Sequence, residues 1–321
     1  MPNSGPKLRM WLKGEGMKTP PTSHSTASTV LLMRPSWCAR LLIMKVTTLG
    51  TGWPLPDAAR AGASNLVEAG GQRFLVDTGR GVLMRLAAAG SGMGQVTAVF
   101  LTHLHSDHVN DFNDVVTTSW IGQFTPGVLK VIGPTGTQRF VDATLAMLED
   151  DICWRLDHHA DLTWRPEVEV TEVTDGVAFE ADGVRVLAAP TEHKPVHPTA
   201  GYRFEHEGAV VVCAGDTVPC DGLDRLCAGA DVYVQTVCRR SAVEAIPSPR
   251  LQDILDYHSD LVQVGQTAAR GGVGTVVLTH LIPPPAPGTE AEWAAEVAEH
   301  FAGTIVVADD LTVVEAPLRG E

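Results

Sequence analysis

Ala98-Val99-Phe100-Leu101-Thr102-His103-Leu104-His105-Ser106-Asp107-His108 decides the reading of this chain. An apolar run of strand character ends in three imidazoles and a carboxylate within six positions. Imidazole and carboxylate are the ligands that divalent zinc prefers. In extended backbone His103 and His105 point the same way and can hold one ion together. Asp107 and His108 come after the chain has turned, where they can serve a second ion. A single buried histidine is ordinarily a hydrogen-bonded core residue, but packing does not explain four ligand-type side chains at one strand exit.

The 321 residues are 44% hydrophobic and 19% charged, the balance of a folded globular protein rather than a disordered one. That length allows one large domain or two small ones. No apolar stretch is long enough to cross a bilayer, so no membrane is expected as a partner. A formal net charge of −14 disfavours broad attraction to nucleic acid, although a local basic groove would still bind phosphate. The six cysteines (Cys38, Cys153, Cys213, Cys220, Cys227 and Cys238) form no C-x-x-C pair. A zinc ribbon or a thioredoxin-like site is therefore not expected. With no convincing secretory signal, the expected compartment is the reducing cytoplasm. Residues 1–43 carry six basic residues and one acid, Glu15, in a Ser/Thr/Pro-rich background. A transit peptide shares that flavour, but a disordered extension or an upstream stretch read from an early start is the expectation. The folded domain is expected to span residues 44–321.

From Met44 onward, short β-branched runs alternate with helical stretches. Leu66–Glu68 and Arg73–Asp77 read as strands paired through a turn at Ala69-Gly70-Gly71-Gln72. A short helix follows between Gly81 and Gly90, then the strand Val96–Leu101. After the strand Val128–Ile132, the segment from Thr135 to about Arg155 reads as one amphipathic helix. Strands resume at 168–173, 184–188, 201–204 and 209–214. A helix over Ser259–Ala269 precedes the strand Thr275–Leu278. This strand-rich order with interspersed helices suggests two sheets covered by helices. The runs Ala98–Leu104 and Thr275–Leu281 are near copies, each ending in Leu-Thr-His-Leu. Both place a histidine, His103 or His280, at the mouth of a buried strand, which suggests two halves delivering ligands to one cleft.

Two ions need more ligands than one cluster supplies, and other strand ends offer them. Thr191-Glu192-His193 follows one strand, and Gly215-Asp216-Thr217 follows the apolar run Val210–Ala214. A strand-end carboxylate such as Asp216 needs a partner to be buried, although capping a following helix is an alternative role. His197 is the rival of His193. His280 completes the set.

These ordered motifs resemble the metallo-β-lactamase superfamily of hydrolases: Asp77 in Val-Asp-Thr-Gly, then H-x-H-x-D-H at 103–108, His193, Asp216 and His280. Within it the chain is most similar to the ribonuclease Z and arylsulfatase-like branch. The residues that carry this are Leu49-Gly50-Thr51-Gly52, Thr191-Glu192-His193 leading to Gly201-Tyr202-Arg203-Phe204, and Tyr257-His258-Ser259 ahead of Leu278-Thr279-His280. The resemblance covers residues 44–321 and implies an α/β fold, a four-layer αββα sandwich. It implies two zinc ions per chain, with manganese or iron as alternatives. His103, His105 and His193 would hold one ion, Asp107, His108 and His280 the second, and Asp216 both. Asp77 would orient a ligand imidazole. His258 would contact the scissile phosphate or protonate the leaving group, with Asp107 and His258 counted as the catalytic pair. A homodimer is a further implication.

The chain departs from ribonuclease Z proper in two ways. Only 23 positions separate His193 from Asp216, leaving no room for the long basic arm that grips tRNA. Gln235 stands where relatives often place an acid. Phe124, Trp154 and Trp164, in the stretch from Trp120 to Trp164, are candidates for an aromatic wall over the cleft, with packing between helix and sheet the alternative. His158 and His159 read as surface. The expected activity is therefore hydrolysis of a small anionic ester, a phosphodiester or aryl sulfate, by a hydroxide generated between two ions. A tRNA 3′-processing endoribonuclease ranks second, and a lactonase or thioesterase third. A non-catalytic metal-binding scaffold and a flavodiiron-type oxidoreductase rank below these.

Overall fold

The computed structural model describes residues 43–319. The expected N-terminal extension lies outside them except for Ile43. In chain order the strands of the first sheet are β1 (Ile43–Gly50), β2 (Ser64–Ala69), β3 (Gln72–Val76), β4 (Ala98–Phe100), β5 (Val128–Gly133) and β6 (Glu167–Glu172). Those of the second are β7 (Gly176–Ala181), β8 (Val184–Pro190), β9 (Ala200–His206), β10 (Ala209–Cys213), β11 (Val232–Cys238), β12 (Thr275–Ile282) and β13 (Thr304–Val307). The last strand, β14 (Thr312–Pro317), returns to the first sheet. The sheet orders are β14-β1-β2-β3-β4-β5-β6 and β13-β12-β11-β10-β9-β8-β7. Each sheet is antiparallel on one side and parallel on the other, the parallel parts being β3 to β6 and β10 to β13.

The layers follow from side-chain alternation along the strands. On β3, Phe74 and Val76 face the second sheet, while Leu75 faces outward. On β10, Val211 and Cys213 face inward, and Val210 and Val212 outward. Phe74, Phe100, Tyr202 and Phe204 interlock between the sheets, mostly edge to face. The outer face of the first sheet is covered by α1 (Val82–Ala88), α2 (Ser106–Val109), α3 (Phe112–Ile121) and α4 (Thr137–Met147). That of the second is covered by α6 (Asp221–Cys227), α9 (Leu261–Gly271) and α10 (Glu290–Ala298). The result is the expected αββα sandwich.

The expected pairing of 66–68 with 73–77 is present as β2 and β3, and their turn uses Gly70 and Gly71, both at positive φ. Such a two-residue turn matches the twist of an antiparallel pair and favours glycine. The helix expected over 135–155 is instead two, α4 and α5 (Glu149–His158), interrupted at Leu148. Glu149, Asp150 and Asp151 open α5, where acids complement the partial positive charge of a helix start. Three more short helical pieces, α7 (Arg240–Glu244), α8 (Pro249–Gln252) and the 3-10 turn Asp253–Asp256, lead to His258. The near-copy runs lie on β4 and β12, in different sheets.

Candidate metal centre

Four strand ends and one bulge bring the site together, and the backbone is shaped to aim the side chains. Asp77 follows β3 with φ 61, and its backbone N–H donates to the carbonyl of Phe100 at the end of β4. Its carboxylate then takes the Thr102 backbone N–H (2.8 Å), the Thr102 hydroxyl (2.9 Å) and His108 Nδ1 (2.8 Å). His103 sits next to that anchor and its Nδ1 lies 3.0 Å from the Thr102 hydroxyl. Asp107 and His108 lie on the short helix α2, which follows immediately. Gly215 precedes Asp216 at φ 67, and a Cβ there would come within 2.7 Å of Thr102. Only glycine allows both the left-handed backbone and this close approach. The Gln235 amide donates to the Gly215 carbonyl (3.4 Å) and the Thr236 carbonyl (2.6 Å), so this buried glutamine braces the same turn.

His280 is expected beyond its strand but lies within β12. Thr236 pairs with Thr279 and Val237 with Leu281, which leaves His280 as the extra residue of a bulge, with φ 45. A bulge re-aims one side chain without ending the strand. His193 is oriented through its Nδ1, which lies 2.8 Å from the Tyr257 carbonyl.

Three groups of ligand atoms result, the third, Asp216, His258 and His280, overlapping the other two. His103, His105, His193 and Asp216 form the first, and Asp107, His108 and His280 the second. Within the first, His105 Nδ1 is 3.1 Å from both His103 Nε2 and His193 Nε2. One imidazole nitrogen has a single proton or a single lone pair, so it cannot serve two such neighbours as hydrogen bonds. Zinc–nitrogen bonds near 2.05 Å in a tetrahedron place ligand atoms roughly 3.3 Å apart, close to these separations. Asp216 Oδ2 lies between the groups, 3.3 Å from His108 Nε2, 3.7 Å from His193 Nε2, and 3.9 Å from both His103 Nε2 and His280 Nε2. In the second group His280 Nε2 is 3.0 Å from Asp107 Oδ2. The buried atoms Asp216 Oδ1 and His108 Nε2 have no hydrogen-bond partner. Buried polar atoms are rarely left so, and cations at these positions would satisfy them.

The electrostatics fit the same donor set. Burial pushes His103 well below its ordinary range and His193 down to about 4, giving neutral imidazoles ready to coordinate. Burial alone would raise Asp216, but the imidazoles of His280, His108 and His258 outweigh it and hold the carboxyl far down. Burial opposes charge on His108 and His280 as well, yet Asp216, with Asp77 beside His108 and Asp107 beside His280, keeps both raised. The second group therefore holds protons that an arriving cation must displace.

His193 joins the cluster, whereas His197 lies outside all of these ligand groups. His258, expected as a catalytic residue, is buried, with Nε2 3.1 Å from Asp216 Oδ2. The aromatic wall expected between Trp120 and Trp164 does not cover the cleft. Trp120 is buried against the outer layer, donating its Nε1–H to the Trp164 carbonyl, while Phe124 and Trp164 line a separate recess. His158 and His159 meet edge to face at the end of α5, away from the cluster. Sequence reasoning did not single out Thr102 or the Tyr257 carbonyl as supports, nor Trp53, whose ring lines the recess beside the ligands. Thr102 was open to detection, because a hydroxyl directly before a ligand histidine is placed to brace it.

Residues 72–281 match the family model described as a beta-lactamase superfamily domain. The ribonuclease Z of Mycolicibacterium paratuberculosis is 54% identical over 279 residues, covering 86% of this chain and all of that relative. That of Mycobacterium bovis is 53% identical over 279 residues, with the same coverage. Among solved structures, the metallo-beta-lactamase fold protein YhfI from Bacillus subtilis superposes with a TM-score of 0.67 at 22% identity, covering 85% of this chain and 99% of its own. The short form of human tRNase Z gives a TM-score of 0.63 at 21% identity, over 85% of this chain and all of its own. These two share the fold. By its family model and its relatives, the chain belongs to the beta-lactamase superfamily and, within it, to the ribonuclease Z family.

Proposed function

We propose that the protein is a two-metal endoribonuclease that hydrolyses a phosphodiester at the 3′ side of tRNA precursors. The supporting observation is the conjunction of a complete His/Asp cluster with relatives named ribonuclease Z that match over their whole length at 53–54% identity. This reverses the order expected from the sequence, where a small anionic ester stood first and tRNA second. The short interval between His193 and Asp216 and the acidic balance argued against tRNA, but end-to-end likeness to ribonuclease Z outweighs both. The relatives reported above are named ribonuclease Z and lend no support to arylsulfatase activity.

In this reading His103, His105 and His193 would hold one divalent ion and Asp107, His108 and His280 the other, with Asp216 serving both. Such a pair would lower the pKa of a shared water and offset charge building on a phosphoryl oxygen. The protein's own groups do the rest. Asp77 accepts from His108 Nδ1 and so presents Nε2 to the cluster, as the Tyr257 carbonyl does for His193. His258, on the wall of the recess, donates a proton to the departing ribose oxygen, which leaves poorly as an alkoxide. Zinc is the ion this donor set favours. Comparing kcat/KM on a precursor tRNA, a chromogenic phosphodiester, an aryl sulfate and a lactone tests the assignment. The precursor should lead by orders of magnitude, and a preference for the aryl sulfate or lactone would reject the ribonuclease reading.

A further inference from the structure

The recess beside the cluster has a volume of about 250 Å³ and two unlike halves. One half is made by His105, Asp107, His193, Asp216 and His258. The other is apolar: Trp53, Leu55, Leu251, Ile254, Tyr257 and Ile282. A phosphodiester group needs only the first half. The second must receive whatever is attached to the phosphate, and it offers flat or aliphatic faces to it.

Trp53 is the largest of these side chains and is only half-buried. It packs beside Ile254 and Leu255 on a small cluster around Ile282, so its base is anchored while part of the ring stays open. Its loop is braced on both sides. Gly52 N–H donates to the Ala61 carbonyl at 2.8 Å, and Leu281 N–H, next to His280, donates to the Thr51 carbonyl at 3.1 Å. Leu55, two residues on, is 55% exposed at the lip. On the 251–257 segment, Tyr257 stands edge-on to the His193 ring, with centroids 5.3 Å apart, and close to His258 at 4.9 Å. An indole and a phenol ring thus line one recess whose other half is the ligand set, the phenol held against His193 and His258 and the indole against the cluster around Ile282.

We propose that Trp53 and Tyr257 form a stacking subsite for a nucleobase next to the scissile phosphodiester. The inference rests on the ribonuclease reading above and specifies the recognition it leaves open. Of the groups that flank a phosphate in RNA, the ribose is polar and the base alone has flat π-faces. Stacking on aromatic side chains tolerates any base, as a processing enzyme acting on many precursors requires. An anchored ring also loses little freedom on binding.

The test uses the metal-loaded full chain and short RNA substrates that differ at one nucleotide. The nucleotide 5′ or 3′ of the cut is either intact or abasic. Trp53→Ala should raise KM for the intact substrate roughly 5- to 100-fold more than for one of the two abasic substrates, with Trp53→Phe recovering most of the difference. An equal effect of Trp53→Ala on all three substrates, or none, would overturn the subsite while leaving the ribonuclease reading intact. Failure of the wild type to cut a precursor tRNA would reject that reading instead. Binding decides the subsite even then. The wild type should bind adenosine monophosphate about tenfold or more tightly than ribose 5-phosphate, and Trp53→Ala should lose the preference. Equal affinity of the wild type for the two ligands would overturn the proposal.

Discussion

His108 Nδ1 lies 2.8 Å from Oδ2 of Asp77, and the same carboxylate oxygen takes the Thr102 hydroxyl. A residue at the end of β3 thereby fixes the ring of a histidine on α2 and the start of the loop that carries His103. Because His108 uses Nδ1 for this contact, its Nε2 is the atom left facing Asp216. Asp77→Asn keeps the size of the side chain but removes the charge that orients the ring. Metal affinity should fall by roughly 10- to 100-fold. Titration with zinc in the presence of a competing chelator measures it, and an unchanged affinity would remove Asp77 from this role.

His258 makes its short contact with Asp216 from the wall of the recess, 3.1 Å away. If it acts on the leaving group, His258→Ala should lower kcat by about 10²- to 10⁴-fold with little change in bound metal. Metal analysis of the purified variant separates the roles. Loss of metal along with activity would make His258 a ligand rather than a proton donor.

Gly215→Ala tests the turn that delivers Asp216. The added Cβ would stand 2.7 Å from Thr102 at a residue with φ 67. Left-handed strain and overpacking together should cost about 2–4 kcal/mol of stability. Urea unfolding measures the loss, and a change below about 0.5 kcal/mol would show that the turn relaxes freely.

Asp310 ties the loop after β1 to the turn between β13 and β14. Its carboxylate accepts from Thr51 N (2.9 Å), the Thr51 hydroxyl (2.8 Å) and Ala61 N (2.7 Å), and pairs with Arg85 Nε at 2.9 Å. Asp310→Ala would leave two backbone donors and a guanidinium without their acceptor. The expected destabilisation is about 3 kcal/mol or more, measured as a lower unfolding midpoint at unchanged m-value. A loss under about 1 kcal/mol would mean that water replaces the carboxylate at little cost.

The ligand set was legible in the sequence because coordination chemistry demands specific side chains, and strand exits are where they can converge. His103, His105, Asp107, His108, His193, Asp216 and His280 were all named from that logic, and the fold brings them together. The supports were less legible. Thr51 and Asp310 are 259 positions apart, and no local pattern announces that they meet. The aromatic residues show the converse failure. Phe124, Trp154 and Trp164 looked suited to a cleft wall, but sequence position carries no direction, and the recess is lined by Trp53 and Tyr257 instead. The expected long helix divided at Leu148 because three consecutive acids favour a new helix start there more than the middle of a long one.

The most direct measurement is cleavage of a precursor tRNA by the purified protein, made on one sample together with its metal content. A two-metal ribonuclease should hold about two divalent ions per chain, cut at the 3′ side of the tRNA body, lose cleavage with a chelator and regain it on adding zinc. Cleavage that persists in a sample holding fewer than about one ion per chain would contradict that reading.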